Sequence, residues 1–373
     1  MPSADVLVIG GGLHGCSAAL NLALAGRTVI VVEKDHVARH ASGVNAGGVR
    51  RLGRHLAEVP LSVASMQLWH RIEELVDDAC GFESPGQVKV AENEADLARL
   101  RDRAAQVRAI GFYHEEIVGE RELRELLPAA APHCVGALVS RADGAALPFR
   151  TTMAFRRKAE SLGVRFHEGT HVTGLSRDAG IWRIATDRGP FEAAAVVNAA
   201  GAWGGAIAAM LGEGVPVEAV AYMLMITQPM PRFVNPVVGA TSRTLSFKQY
   251  ANGTVMIGGG HKGRAFPDTN RTELDFARLS LNARIAMEIF PVMRGANINR
   301  AWAGIEGRMP DDIPVLGASG TSEALVHSFG YSAHGFQLGP ICGEIVASLL
   351  TAGATRFDLA PFDIRRFAGT GRP

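Results

Sequence analysis

Gly10-Gly11-Gly12-Leu13-His14-Gly15 sets three glycines in the G-x-G-x-x-G spacing, and an acid, Glu33, ends the next apolar run. That combination is suited to holding a dinucleotide. Gly10 permits a tight turn, Gly12 lets the backbone approach a pyrophosphate, and Gly15 lets a helix pack close to a strand. Leu13 and His14 open that helix, whose free N–H groups and positive dipole end favour phosphate. Glu33, with Lys34 beside it, can accept hydrogen bonds from ribose hydroxyls. Its charge repels a 2′-phosphate, which disfavours NADP. The position of the fingerprint at the very start, with more glycine motifs downstream, favours FAD over NAD.

Further residues are candidates for substrate chemistry. His261 follows Gly258-Gly259-Gly260, where the backbone can approach a ligand closely, and a neutral imidazole suits proton transfer near pH 7. A loop histidine facing water is the competing reading. Arg50 can pair with a substrate carboxylate, or stand in a purely structural ion pair. Tyr222 and Tyr250 fall in the expected substrate domain, where a core or surface tyrosine is the commoner role.

These residues need elements to position them. Asp5 to Ile9 is an apolar run of the kind buried on both faces of a parallel sheet. Leu13 to Ala25 reads as a helix closed by Gly26, and Thr28 to Glu33 as a second strand, which completes a βαβ unit. Ala41 to Gly48 reads as a glycine-rich loop. Val59–Val76, Asp96–Ile110, Glu120–Leu127, Thr151–Leu162, Glu273–Ile289 and Ile341–Leu350 read as helices. Strands are expected over 164–168, 172–175, 181–186, 191–198, 254–257 and 324–328, and 215–227 is β-prone. The fold class is α/β, a Rossmann-like FAD-binding domain with an inserted α+β substrate domain. The FAD-binding domain takes residues 1–85, 148–214 and 315–373, and the substrate domain 86–147 and 215–314.

The gross composition narrows the function. The chain has 373 residues, 47% hydrophobic and 20% charged, with a net charge of +1. That length suggests two domains. The charge balance offers no argument for nucleic acid or an acidic membrane. Arg50-Arg51 and the arginines between Arg99 and Arg108 are interspersed with acids and read as solvated faces. Cys16, Cys80, Cys134 and Cys342 are scattered, with no metal-binding spacing, so no metal site is expected. The N-terminus lacks a basic signal-like region, and no run of about twenty apolar residues occurs, so a cytoplasmic protein without a membrane span is expected.

Four segments together resemble the D-amino acid oxidase superfamily of flavoproteins. They are Val8-Ile9-Gly10-Gly11-Gly12 through Glu33, Ala41 through Arg50, Val196-Val197-Asn198-Ala199-Ala200-Gly201-Ala202-Trp203, and Trp302-Ala303-Gly304 through Ser332-Ala333-His334-Gly335-Phe336. Within it the chain looks most like the β subunits of sarcosine, opine and hydroxyproline oxidases or dehydrogenases, and like glycine-oxidising relatives. The resemblance implies a substrate domain on a mostly antiparallel sheet. Ser42, Asn45, Ala46 and Gly47 would line the phosphates and flavin ring, with Arg50 close to the isoalloxazine. Val172 would bind adenine, while Ala200, Gly201 and Trp203 would cover the ribityl–adenine side. Gly330 through Gln337, including His334, Gly335 and Phe336, would wrap the flavin pyrimidine.

Departures from the family pattern matter equally. Gly304 stands where monomeric sarcosine oxidases attach FAD through a cysteine, so non-covalent FAD is expected. Met256 aligns with the lysine those oxidases place over the flavin, which implies slow reaction with oxygen. Glu306 stands where glycine oxidases grip the substrate carboxylate with an arginine; it would repel that group and could hold an amine instead, with a solvated or salt-bridged glutamate as the competing reading. The implied reaction is oxidation of the C–N bond of a small amino acid or secondary amine of the sarcosine, opine, D-hydroxyproline or glycine type. A hydride equivalent would pass to flavin N5 and leave an imine. Two alternatives stay open: a 2-hydroxy-acid dehydrogenase, and a flavin subunit that works only with flavin or iron–sulfur partner subunits.

Overall fold

The computed structural model describes residues 1–368. The chain opens with β1 (Ser3–Ile9), α1 (Leu13–Leu24) and β2 (Val29–Val32). β1 and β2 pair in parallel, Val6 opposite Val29 and Ile9 opposite Val32. On its other edge β1 pairs in parallel with Phe191–Asn198, which pairs in turn with Leu325–Phe329. Leu7 and Val8 are fully buried, as a strand covered on both faces requires. The eight-stranded sheet is completed by Arg165–His167 beyond β2, Val315–Ala318 at the far edge, and the Val172–Asp178/Ile181–Thr186 hairpin. Helices α1, Pro148–Ser161 and Gly335–Ala352 pack together and bury one apolar core with this sheet.

A second sheet has ten strands drawn from 87–140 and 218–308. Its Gln87–Ala91 and Val237–Ala240 strands run parallel, and its other pairings are antiparallel. Val88 and Val90 point into its core beside Val238 and Phe247. The sheets draw on alternating stretches of chain, so each is discontinuous in sequence. The segments where the chain passes between them line a common cavity.

Several elements differ from the sequence expectation. The helix read as Ile341–Leu350 begins at Gly335 and carries Pro340 inside it. Close packing explains this: a Cβ on Gly339 would lie 2.5 Å from Leu13, and one on Gly343 would lie 2.1 Å from Ser17. The helix docks so tightly on α1 that tertiary contact overrides the proline. This helix is also apolar and long enough to cross a membrane by composition, contrary to the expected lack of such a stretch, but two-thirds of it is buried inside the fold. Glu273 lies in the strand Arg271–Glu273; the helix starts at Phe276, where the Asp275 side chain accepts the Arg278 amide. The helix expected over 59–76 is interrupted at His70-Arg71. Ala41–Val44, within the expected loop, is one helical turn.

Candidate active site

The turn after β1 has the geometry the glycines demand. Gly10 has φ +109°, and a Cβ there would lie 2.4 Å from the Ala199 carbonyl oxygen. A Cβ on Gly15 would lie 1.9 Å from the Gly10 carbonyl oxygen, so α1 sits against the turn as only glycine allows. Gly15 therefore serves packing and does not itself line the cavity. Glu33 accepts the Gly11 amide at 2.7 Å and the Asp35 amide at 2.8 Å. Burial pushes its carboxyl up, against the pull of these amides. Each oxygen retains a second lone pair, and the side chain borders the cavity. The Ser42 hydroxyl accepts the Leu13 amide, capping the start of α1.

The cavity measures about 1050 Å³ and runs from this turn to the second sheet. Its nucleotide end is bordered by Gly10, Gly12, Leu13, His14, Glu33 and Lys34. Lys34 lies over the Trp203 ring at 3.4 Å and also bonds Asn270. Val172, Ala200, Gly201 and Trp203 continue the same wall, followed by Ser42, Asn45, Ala46 and Gly47. Asn45 uses its side chain to shape its own loop, accepting the Gly47 amide and donating to the Ala41 carbonyl. Gly304, Gly330, Gly335 and Phe336 close the opposite side. Gln337 lies outside the lining: it is fully buried and bonded to Arg54 and Ser62, so it braces the wall.

The strand Ile298–Arg308 joins the second sheet to the 41–44 turn at the site. The Trp302 indole N–H donates to the Val44 carbonyl at 2.9 Å. A Cβ on Gly304 would lie 2.1 Å from Val44, leaving no room for a cysteine. Glu306, two residues on, borders the cavity and accepts the Ala333 amide. Among the described residues it has no cationic partner, and burial pushes its carboxyl up to about 7. Tyr222 borders the cavity as well; burial and the charge of Glu306 raise its phenol to about 12. The loop that tethers Glu306 is strained, with Ser332 at φ +51° and Ala333 at φ +66°.

A second charged group borders the same cavity. Arg50 borders the cavity and donates to the Leu52 carbonyl at 2.6 Å. Arg54, 1% exposed, donates to the carbonyls of Arg50 and His334 and to Gln337. Burial and the neighbouring Arg50 lower its guanidinium to about 9. Glu58, fully buried, lies 3.5 Å from the His334 imidazole. Burial pulls His334 down in spite of Glu58, which keeps its ring neutral at pH 7.

Arg50, Glu306 and His334 thus share one cavity, whereas Tyr250 and His261 stand outside its lining. Tyr250 packs under Lys248, and its hydroxyl points at the Met256 sulfur. His261 has its carbonyl tied to the Met223 amide. Of its three glycines, Gly259 and Gly260 do border the cavity, and a Cβ on Gly259 would lie 2.7 Å from Leu245.

Sequence reasoning missed Arg54, Glu58, Lys89 and Lys248. Met256 is buried in a strand and faces Lys248 on the next one. Lys248 is 6% exposed with no hydrogen-bond partner, its ammonium 3.2 Å from where a Gly47 Cβ would lie. A buried lysine therefore does stand beside the flavin loop, eight positions before the expected one. Burial lowers its pKa to about 7 from 10.5. Below pH 7 it is charged in both folded and unfolded chains, and the folded state bears the full desolvation penalty. As pH rises from 7 towards 10.5 the penalty fades. Lys248→Met is expected to raise thermal stability near pH 6.5, by at most ~5 kcal/mol, and by progressively less as pH climbs towards 10. Melting curves across that range check it; a gain that is constant with pH would assign it to packing.

The fit to FAD rests on the glycine cradle, the start of α1 and Glu33. Comparison with known proteins agrees. The family profile described as FAD dependent oxidoreductase matches residues 5–349. The chain is 26% identical to hydrogen cyanide synthase subunit HcnC of Pseudomonas aeruginosa, over 97% of this chain and 96% of that protein. It is 25% identical to human mitochondrial sarcosine dehydrogenase, over 98% of this chain and 42% of that longer protein. L-proline dehydrogenase from P. horikoshii superposes with a TM-score of 0.90 at 27% identity, with both chains covered completely. Glycine oxidase from Geobacillus kaustophilus superposes with a TM-score of 0.90 at 25% identity, over 99% of this chain and 100% of the other. With its nucleotide cradle, two-sheet architecture and near full-length profile match, this chain belongs to the family of FAD-dependent oxidoreductases.

Proposed function

We propose that the protein oxidises the C–N bond of a small amino acid or secondary amine, with Glu306 receiving the proton of the substrate amine. One observation carries this reading: the cavity contains a carboxylate without a cationic partner, poised near 7. Amines arrive protonated at neutral pH, and the nitrogen lone pair must be free to assist C–H cleavage. An ionised Glu306 attracts the ammonium and takes its proton. The Ala333 amide fixes the carboxylate in place. Arg50 holds the substrate carboxylate, and His334, kept neutral, adds no competing charge. The walls exclude water from the reacting carbon. FAD bound in the cradle supplies the acceptor for a hydride equivalent. The oxidised product is an imine, which water hydrolyses.

The relatives' names support an amine or amino-acid substrate, since they include enzymes named for sarcosine, glycine and L-proline. Anaerobic mixing of the yellow protein with N-alkyl and D- or L-amino acids tests the reading. At least one amine should bleach the flavin absorbance while 2-hydroxy acids leave it. Bleaching by hydroxy acids alone would overturn it.

The FAD is held without a bond to cysteine. The four cysteines are buried and none borders the cavity, and Gly304 has no space for a thiol. Acid precipitation is expected to leave the yellow colour in the supernatant and a colourless pellet. A relative named as a synthase subunit motivates a second reading, in which electrons leave through a partner subunit. Turnover of the isolated chain with an artificial acceptor separates chemistry from that dependence.

A further inference from the structure

The strand Gln87–Ala91 crosses the middle of the second sheet, between Val237–Ala240 and Gly136–Ser140. Alternate side chains of a strand face opposite ways. Val88 and Val90 enter the core, so Gln87 and Lys89 face the other way and border the cavity. Lysine is a poor choice for a central strand, where its charge must be desolvated. The opposite residue on the neighbouring strand is Gly239, which has no side chain to flank the lysine stem. Lys89 makes no hydrogen bond or ion pair among the described residues. Its nearest acid, Glu115, is already held by Arg103 and the Gly53 amide. Gln87 is 8% exposed, and its buried side-chain oxygen has no partner either.

The Lys89 ammonium and the Arg50 guanidinium reach towards the same spot. They come within 4.0 and 3.8 Å of the position a Gly53 Cβ would take. Each is lowered first by burial and then, for Lys89, by the charge of Arg50. Around this end of the cavity stand three cations, Arg50, Arg54 and Lys89, with Glu58 as their one unshared buried acid. Asp143 is engaged by Arg51. Two positive charges are left over, an excess that draws an anionic ligand to this end of the cavity. Glu306, at the other side, balances the ammonium of an amine substrate.

We propose that Lys89, with Gln87, forms a subsite for a second carboxylate beside the one that Arg50 holds, so that the substrate is a dicarboxylic amine: one nitrogen to be oxidised and two acids to be gripped. This rests on the amine-oxidising reading above and narrows it. Sarcosine and glycine, with one carboxylate, leave Lys89 unpaired, whereas an N-(carboxyalkyl) amino acid fills both positions.

The test uses the FAD-loaded protein and non-reactive probes. Calorimetric titration with malonate, succinate and acetate should show the better dianion binding at least about 10-fold more tightly than acetate. Lys89→Met should remove about 10- to 100-fold of dianion affinity and change acetate binding far less. Gln87→Met, which leaves the charges in place, should weaken the dianion by a smaller factor. In turnover, the ratio of kcat/KM for iminodiacetate over sarcosine should fall in Lys89→Met, mainly through KM. Equal affinity for acetate and both dianions, or a Lys89→Met protein that keeps the full preference, overturns the subsite. Lys89-dependent dianion binding in a protein whose flavin no amine bleaches would instead uphold the subsite and sink the amine-oxidising reading.

Discussion

Glu306→Gln is expected to lower kcat for the amine substrate by about 10²- to 10⁴-fold, the usual contribution of a positioned general base. Glutamine keeps the size of the side chain and an oxygen for the Ala333 amide, so the loop stays anchored. What disappears is the basic oxygen. The pH profile gives an independent reading. In the parent enzyme kcat/KM should rise as pH climbs through about 7, where Glu306 ionises. In the variant that limb should vanish. A surviving limb near 7 would move the role to another group. His334 is the weaker candidate, because burial shifts its imidazole down from its ordinary value and so away from 7.

The same substitution should act on stability in the opposite direction. The Glu306 pKa is raised from 4.5 to about 7 in the folded chain. Below pH 4.5 the group is protonated in both states and costs nothing. Between 4.5 and 7 the unfolded chain ionises first, and folded stability falls. Above 7 the full penalty persists. Glu306→Gln should therefore melt higher than the parent above pH 7 and match it near pH 4. Lost activity with gained stability is the signature of a site held in an unfavourable state for function. A merely structural glutamate would show the reverse.

The nucleotide end of the site could be read from the sequence because its constraints are local. Gly10, Gly12, Gly15 and Glu33 answer to one turn, one helix and two neighbouring strands, all within the first residues. The amine end could not be read that way. Arg54 and Glu58 look like ordinary loop residues until the His334 loop, nearly 300 positions later, folds over them. Lys89 carries no motif; its meaning comes from the register with Gly239 and from Arg50 approaching from another segment. Lys248 went unread because it meets Met256 across a strand pair, a pairing that alignment by residue type cannot show. The signal that was available is alternation: Gln87-Val88-Lys89-Val90 reads polar, apolar, polar, apolar, so a lysine shares one face with a glutamine and lies opposite two core valines. His261 and Tyr250 misled for the converse reason. Their types suited the chemistry, but chemistry alone says nothing about which way a strand end points.

Two glycines of the fingerprint are expected to fail in different ways when given one extra carbon. Gly12 has φ −72°, a conformation alanine accepts, and its added Cβ would meet just the Ser42 hydroxyl, at 2.9 Å. The protein should fold with a near-normal melting temperature. The methyl group intrudes where the backbone must approach the pyrophosphate, and displacing even one or two charge-assisted N–H contacts weakens FAD by about 100-fold or more. Gly12→Ala should thus purify folded but pale. Gly15→Ala places its Cβ 1.9 Å from the Gly10 carbonyl oxygen, which is backbone and cannot rotate aside. The helix must separate from the turn, at a cost of ~1–3 kcal/mol or more. That variant should lose both flavin and melting temperature. The ratio of flavin to protein absorbance, set beside a melting curve, distinguishes the two. A fully yellow Gly12→Ala protein would mean that the diphosphate does not lie against this turn, and α1 would then have its positive end aimed at something else.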